Sequence, residues 1–516
     1  MNGAESLART LLKSGVDACF ANPGTSELHF VSALDATPGM RSVLTLFEGV
    51  ATGCADGYGR MADKPATTLL HCGPGMANGL ANLHNARRAS APVVNIVGDQ
   101  ATYHRPLDSN LTADTEGWAR PVSAWVRTSS APSCVGLDAA AAVQAARTAP
   151  GQIATLILPA DTAWGEGGMV AEPLAAPAVC EAAPHTVRQI AELLRRREPA
   201  MLFLSRMALR ARGLEAAYRI AKATGAGLMA QQANGRIERG QGRVPIQCLP
   251  YYPPEAMAAL AGIRHLILVG ANRPVAVFAY PNQPNQLVPP EAVVHVLARL
   301  DQDPIRALES LADELGAPPA PPPHPGPVPG PASGALQAGA IAQTLAALMP
   351  EQTIVVDESV SFGRPFYPGT RSAPPHDWLQ NTGSAIGMGL PVATGAALAA
   401  AMGGERRRVI ALQADGSALY TIQALWTQAR EGLDVTTLIL ANRKYAILLR
   451  ELANLGAQPG PVFASMTDLR NPDLDWIKIA NGMGVEAAQA RTCEQLGDLL
   501  RHSVGRKGPF LIELPV

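Results

Sequence analysis

The stretch that decides the fold runs from Val409 to Lys444, VIALQADGSALYTIQALWTQAREGLDVTTLILANRK. An apolar run, Val409 to Leu412, leads directly into Ala414-Asp415-Gly416-Ser417, and a helix is predicted over Ala418 to Glu431. A second apolar run, Thr437 to Leu440, ends at Asn442-Arg443-Lys444. Strand, helix and strand in that order make a parallel crossover, with Asp415 and Asn442 each at the C-terminal edge of a strand. Alone, an Asp-Gly pair reads as a turn and an Asn as a helix cap. Paired at two strand ends, they bring a carboxylate and an amide oxygen together. Hard cations such as Mg²⁺ take few protein oxygens along with phosphate oxygens, and the amides of Gly416 and Ser417 at a helix start suit an anionic diphosphate.

Outward from this stretch, the same texture repeats. Ala317 to Gly334, APPAPPPHPGPVPGPASG, is too rich in proline to form a helix and reads as an extended tether. Upstream, apolar runs at Ala66 to His71, Val93 to Gly98 and Ile153 to Pro159 alternate with helix-like segments such as Met76 to Arg88. A second unit has candidate strands at Ala200 to Leu204, His265 to Gly270 and Val293 to Leu297. After the tether, Gln337 to Leu348 reads as a helix, and Thr353 to Asp357 and Pro509 to Glu513 as strands. The alternation predicts three consecutive α/β domains built on doubly wound parallel sheets, at 1–165, 183–316 and 335–516, with 317–334 as linker.

Composition narrows the function. A length of 516 residues exceeds one hydrophobic core. With 47% hydrophobic and 16% charged residues, wholesale disorder is excluded and surface hidden between domains or subunits is expected. Forty-two Lys and Arg against 43 Asp and Glu leave no basic field for nucleic acid or an anionic membrane. Seven scattered cysteines without a C-x-x-C pair fit neither a disulfide framework nor a zinc knuckle. The opening residues lack a secretory apolar core, and no long uncharged run reads as a membrane span, so a cytoplasmic setting is expected. Motifs for phosphate-loop nucleotide binding, zinc peptidases and serine hydrolases are absent from the sequence.

The Asp415-Gly416 and Asn442 pattern resembles the signature of thiamine diphosphate enzymes, Gly-Asp-Gly followed by Asn. Further motifs match the same family. Glu48 opens FEGVATGCADGYGR, which ends in Gly57-Tyr58-Gly59-Arg60. Asn22-Pro23-Gly24, Gly73-Pro74-Gly75 with Asn78, Gly387-Met388-Gly389-Leu390-Pro391 and Lys507-Gly508-Pro509 extend the resemblance over the whole chain. Within that family the sequence resembles benzoylformate decarboxylase and acetolactate synthase, in the group that includes pyruvate decarboxylase and pyruvate oxidase. The resemblance implies a pyrimidine-binding first domain, a middle domain and a diphosphate-binding last domain. It also implies thiamine diphosphate and Mg²⁺, with Asp415, Asn442 and the Lys444 carbonyl on the metal. Glu48 would hydrogen-bond the aminopyrimidine ring and relay protons, and Ile386 would prop the cofactor's two rings. Asn78, Ser359, Ser361, Ser384, Gly416 and Ser417 would contact the cofactor. His71 in LLHCGPG matches an active-site histidine of benzoylformate decarboxylases, and Thr25, Leu111 and Ile447 match substrate-pocket positions. Because Glu48 and Asp415 belong to domains that face one another across a subunit boundary in the family, a homodimer is required and a tetramer expected.

Four departures bear on the reaction. Ala414 replaces the first glycine of the signature, and Ala441 replaces the first asparagine of a common Asn-Asn pair. The middle-domain histidine of benzoylformate decarboxylases has no counterpart in GANRPVAVFAYP, Gly270 to Pro281. The adjacent histidines of pyruvate decarboxylases are missing as well, since Asp99 to Trp125 holds only His104. The leading expectation is decarboxylation of a 2-oxo acid, with the resulting carbanion or enamine protonated or ligated to an aldehyde or other carbonyl acceptor. Acetolactate synthase-type condensation of two 2-oxo acids is the alternative. A catalytically silent cofactor-binding or scaffold subunit is the alternative from a different class, against which an intact Glu48 argues. No decisive flavin signature stands out between Val187 and Leu315, so FAD stays open but is not favoured.

Overall fold

A computed structural model describes all residues except 324 and 325, which fall in the proline-rich linker. Three sheets organise the chain. The first carries β1 (Ala18–Ala21), β2 (Arg41–Leu44), β3 (Ala66–Leu70), β4 (Val93–Asp99), β5 (Trp125–Thr128) and β6 (Ile153–Pro159), in the order β2-β1-β3-β4-β6-β5 with every pairing parallel. The second carries β7 (Ala200–Leu204), β8 (Gly227–Ala230), β10 (Gln247–Cys248), β11 (His265–Val269) and β12 (Val293–Ala298), ordered β10-β8-β7-β11-β12; β9 (Ile237–Arg239) leaves it. The third carries β13 (Ile354–Glu358), β14 (His376–Gln380), β15 (Val409–Ala414), β16 (Val435–Ala441), β17 (Glu486–Gln489) and β18 (Phe510–Pro515). Its order is β17-β18-β16-β15-β13-β14-β9. Strands β4, β6 and β16 are buried along their whole length, as expected where helices cover both faces of a parallel sheet.

Two features go beyond the sequence reading. β9, which belongs to the middle stretch of sequence, pairs antiparallel with β14 and so joins the third sheet. Arg239 in β9 is buried there, its guanidinium 3.8 Å above the Tyr367 ring and bonded to Thr370 Oγ1. The helix predicted over Ala418 to Glu431 is in fact broken. A single turn at Asp415–Ala418 is followed by an interruption, and the helix resumes at Ala424–Glu431. At the break, the Thr421 hydroxyl donates to Gly387 O at 2.8 Å, so this residue bonds the neighbouring loop.

The first and third units are in backbone contact. Helix α1 (Glu48–Ala62) and helix α3 (Gly389–Met402) are both built from small residues, and α2 (Cys72–Ala89) flanks α1. A methyl group on Gly57 would lie 2.1 Å from Val392 O, and one on Gly395 would lie 1.8 Å from Cys54 O. Glycine is what lets these helices approach this closely. Twelve of the fourteen residues of α3 are buried, so it has no solvent face to pattern, which explains its nearly uniform apolarity.

Ion pairs tie all three units at one junction. Buried Asp377 in β14 receives Arg236 Nε at 2.6 Å and Arg407 from the other side. Arg236 also reaches Asp63 at 3.6 Å, and Arg210 meets Asp63 at 2.8 Å. Arg60, paired with Asp56, donates to Gln380 O at 2.8 Å.

Candidate functional site

The C-terminal edges of β13, β15 and β16 lie side by side, because β15 pairs with both neighbours in parallel register, Glu358 against Gln413 and Ala414 against Leu440. This brings Asp415, Gly416, Ser417, Asn442, Lys444 and Ser359 to one end of the third sheet. Asp415 is buried and accepts from Arg443 N at 2.6 Å and from Gly416 N at 2.8 Å. Burial pushes its carboxyl above the ordinary range, against the pull of these backbone N–H groups. Asn442 Oδ1 accepts from Lys444 N at 3.0 Å, and the Lys444 carbonyl accepts from Ala446 N at 2.9 Å. Arg443 between them takes a left-handed φ of 58°, which folds this corner back over Asp415. Of the two amides read as a diphosphate cradle, that of Gly416 is turned back onto Asp415.

These donors suit a hard divalent cation. A carboxylate, a side-chain amide oxygen and a main-chain carbonyl offer oxygen alone, and each oxygen keeps a second lone pair. The approach is tight: a methyl on Gly416 would lie 2.5 Å from the Tyr445 ring.

A glutamate not singled out in the sequence organises the neighbouring loop. Glu358, buried at the end of β13, accepts from Gly387 N at 2.9 Å, Met388 N at 3.2 Å and Gly389 N at 2.9 Å. Gln413 Nε2 donates to it at 2.9 Å and to Ser417 Oγ at 2.6 Å. The carboxylate therefore satisfies the first amides of α3 and fixes Ile386 next to the strand edge. Ser384, at φ 62°, donates its N–H to Asn381 Oδ1 at 2.8 Å. Ser359 is held by Asp357 through both N and Oγ, while Ser361 sits half-buried in the turn that follows. Ser359 and Ser384 also line a cavity of about 800 Å³ that reaches the middle unit at Cys248 and Tyr251; Asp415, Asn442, Glu48 and His71 do not line it.

The first unit presents a second cluster. Glu48 is the first residue of α1, only 5% exposed, and its Oε2 accepts from Asn78 Nδ2 at 2.9 Å. Gly75 lies against it: a methyl there would be 3.1 Å from Glu48 Oε1. His71 stands at the N-cap of α2, with Nδ1 2.8 Å from Glu27 Oε2. Glu27 was missed in the sequence because 44 residues separate it from His71. Its only local signal is the Asn22-Pro23-Gly24 turn, where Gly24 N donates to Glu27 Oε2 at 2.9 Å. Gly24 is required by the histidine, since a methyl there would lie 2.2 Å from His71 Nδ1. Burial raises the Glu27 carboxyl, opposed by the nearby imidazole and by the Gly24 and Cys72 amides. Thr25 is exposed at the start of the turn holding Glu27, and Leu111 is half-buried in the loop whose Ala113 abuts Gly73. Ile447 is half-buried on α4 (Ala446–Asn454), a helix with no buried residue.

Within one chain Glu48 bonds Asn78 and Asp415 bonds its own turn and Arg443, and among the described residues no hydrogen bond joins these two carboxylates. A fold of this kind, with an oxygen-only site on the last sheet and a buried glutamate on the first, is that of a cofactor enzyme built from paired domains. The chain matches the family model for the N-terminal TPP binding domain of thiamine pyrophosphate enzymes over residues 1–118, and the C-terminal TPP binding domain over residues 366–514. It is 50% identical, over all of its length and 99% of the relative's, to a Mycobacterium tuberculosis protein provisionally named the acetolactate synthase large subunit IlvX. It is 28% identical to benzoylformate decarboxylase of Pseudomonas aeruginosa, covering 98% of this chain and 97% of that one. Its fold superposes on the thiamine diphosphate-dependent 4-hydroxybenzoylformate decarboxylase of Rhodococcus jostii RHA1 with a TM-score of 0.86, at 23% identity over 100% and 99% of the two chains. The chain belongs to the thiamine pyrophosphate (thiamine diphosphate) enzyme family.

Proposed function

We propose that this protein decarboxylates a 2-oxo acid with thiamine diphosphate and Mg²⁺, and that a proton delivered from His71 ends the cycle. The observation that carries this reading is the pairing of His71, at the N-cap of α2, with the buried Glu27 carboxylate. When bound, the cofactor would supply a nucleophilic carbon and an electron sink for decarboxylation of the 2-oxo acid. The chain's own residues do the rest. Asp415, Asn442 and the Lys444 carbonyl would hold the metal. Asn78 orients Glu48, whose carboxylate would hold a proton for the pyrimidine ring. Glu27, accepting from Nδ1, selects the tautomer in which His71 Nε2 is free to exchange a proton. Ile386, fixed through Glu358, would set the bent shape of the cofactor.

A second copy completes the site in this reading. Exposed apolar side chains flank both clusters: Leu28 and Leu107 on the first unit, Tyr420, Leu449 and Met466 on the third, with Leu107 70% and Met466 75% exposed. Apolar surface of this kind beside polar clusters is what a partner subunit covers. A panel of 2-oxo acids, assayed with and without added aldehyde, tests the reaction. Release of the matching aldehyde, lost in His71→Ala, supports it; acetolactate from pyruvate alone overturns it. That second reading, condensation of two 2-oxo acids, draws on the full-length similarity to IlvX and on the lack of a histidine in Gly270 to Pro281.

A further inference from the structure

Between the first and middle units lies a cavity of about 420 Å³ that none of Glu48, His71 or Asp415 lines. Its walls are mostly apolar, with Pro92 and Pro150 on one side and Ile305 on the other, yet Arg147, Arg206, Arg210 and Lys64 also reach it. Arg206, directly after β7 and at φ 56°, donates from Nε to Ser90 Oγ at 2.9 Å and from Nη1 to Gly270 O at 2.8 Å. Both acceptors are neutral, and among the described residues Arg206 forms no ion pair. Burial alone pulls its guanidinium below the ordinary value, with no carboxylate opposing the shift. Arg210 binds Asp63 through Nη2 at 2.8 Å, but its Nη1 is buried without a hydrogen-bond partner, the Glu238 carboxylate standing off at 3.7 Å. The carboxylates lining the cavity are Asp63 and Asp303, and Asp303 Oδ1 is taken by Ile305 N and Arg306 N.

A cation drawn partly out of water without a counter-charge is costly, and native structures compensate it. Arg206 faces a roomy cavity whose walls are largely apolar, whereas Arg210 Nη1 is shut off from it on the side of Glu238. We propose that this cavity binds a small organic anion, a carboxylate or phosphate head on an apolar body, with the head on Arg206 and the body against Pro92, Pro150 and Ile305. A volume of this size suits such a molecule. Bound there, it bridges the first and middle units at a distance from the catalytic residues.

The test is calorimetric titration of the protein saturated with thiamine diphosphate and Mg²⁺, so that the diphosphate site is filled. The probes are phenyl phosphate, 4-phenylbutyrate, inorganic phosphate and benzyl alcohol. Saturable binding of phenyl phosphate or 4-phenylbutyrate, at least about tenfold tighter than head or body alone, is expected; which of the two binds identifies the head. Arg206→Met is expected to weaken that probe about tenfold or more while leaving the ligand-free melting temperature unchanged or raised. Ile305→Trp, which fills the apolar end, is expected to abolish binding should the Arg206 variant not fold. Lack of saturable binding by every probe overturns the proposal, as does binding that both substitutions leave unchanged.

Discussion

Glu27 shows what a single buried carboxylate does to the chemistry next to it. Because burial raises its carboxyl, Glu27 takes up a proton as pH falls at a higher pH than an ordinary glutamate does, and its hold on Nδ1–H of His71 weakens there. The wild-type kcat/KM profile is therefore expected to carry an acid limb above the ordinary glutamate value of about 4.3, and the Glu27→Gln profile to lack it. Identical profiles for the two proteins would remove Glu27 from the catalytic apparatus. At Glu48 the expectation is a split: Glu48→Gln keeps cofactor affinity but slows exchange of the cofactor's acidic C–H, followed by NMR in deuterated buffer, by about 10²–10⁴-fold. Unchanged exchange would contradict the proton role. The sequence shows Glu48 and Asp415 readily, because each sits in a short motif of small residues at the end of an apolar run. Glu27 and Glu358 are not legible, since their meaning lies in partners, His71 and the amides of 387–389, that only the folded chain supplies.

Helix against helix, packing sets the tolerance. The α1–α3 contact has no room for a methyl at Gly395, where the nearest atom is a backbone carbonyl that cannot swing aside. Gly395→Ala is expected to lower stability by about 1–3 kcal/mol, read as a lower urea midpoint at constant slope; an unchanged midpoint would mean the helices separate freely. Elements of this kind differ in how plainly the sequence announces them. β4, β6 and β16 are continuous apolar runs buried on both faces, and their spans come close to the predicted ones. β14, His376–Gln380, escaped notice because its pattern is polar, with Asp377 buried only by virtue of two arginines from other elements. The broken helix at Ala418 to Glu431 escaped for a related reason: propensity favours helix there, and the Thr421 bond to Gly387 O overrides it.

The units of the molecule are locked together by charge as well as by apolar packing. Burial pushes the Asp377 carboxyl up, but Arg236 and Arg407 outweigh it and hold the group below its ordinary value. A depressed carboxylate contributes stability that is complete above the unfolded value of about 3.9 and is lost as pH falls through the folded one. Asp377→Asn leaves two largely buried guanidiniums short of a counter-charge, and a loss of about 3–5 kcal/mol at neutral pH is expected, shrinking in acid; a pH-independent difference in unfolding free energy would contradict the linkage. At this scale the sequence showed α/β units with parallel sheets and which of them come first and last. It could not show β9 crossing into the third sheet, because three residues carry no pattern of their own.

The central claim is that Glu48 of one chain serves a cofactor anchored by Asp415 of another. Complementation measures it most directly: Glu48→Gln and Asp415→Ala chains, each inactive alone, are unfolded together, refolded as a one-to-one mixture with cofactor and metal, and assayed. If sites form between chains, mixed dimers combine an intact Glu48 with an intact Asp415, and about a quarter of wild-type activity returns. A mixture as inactive as its two components would show that both residues must come from one chain, and would contradict the account.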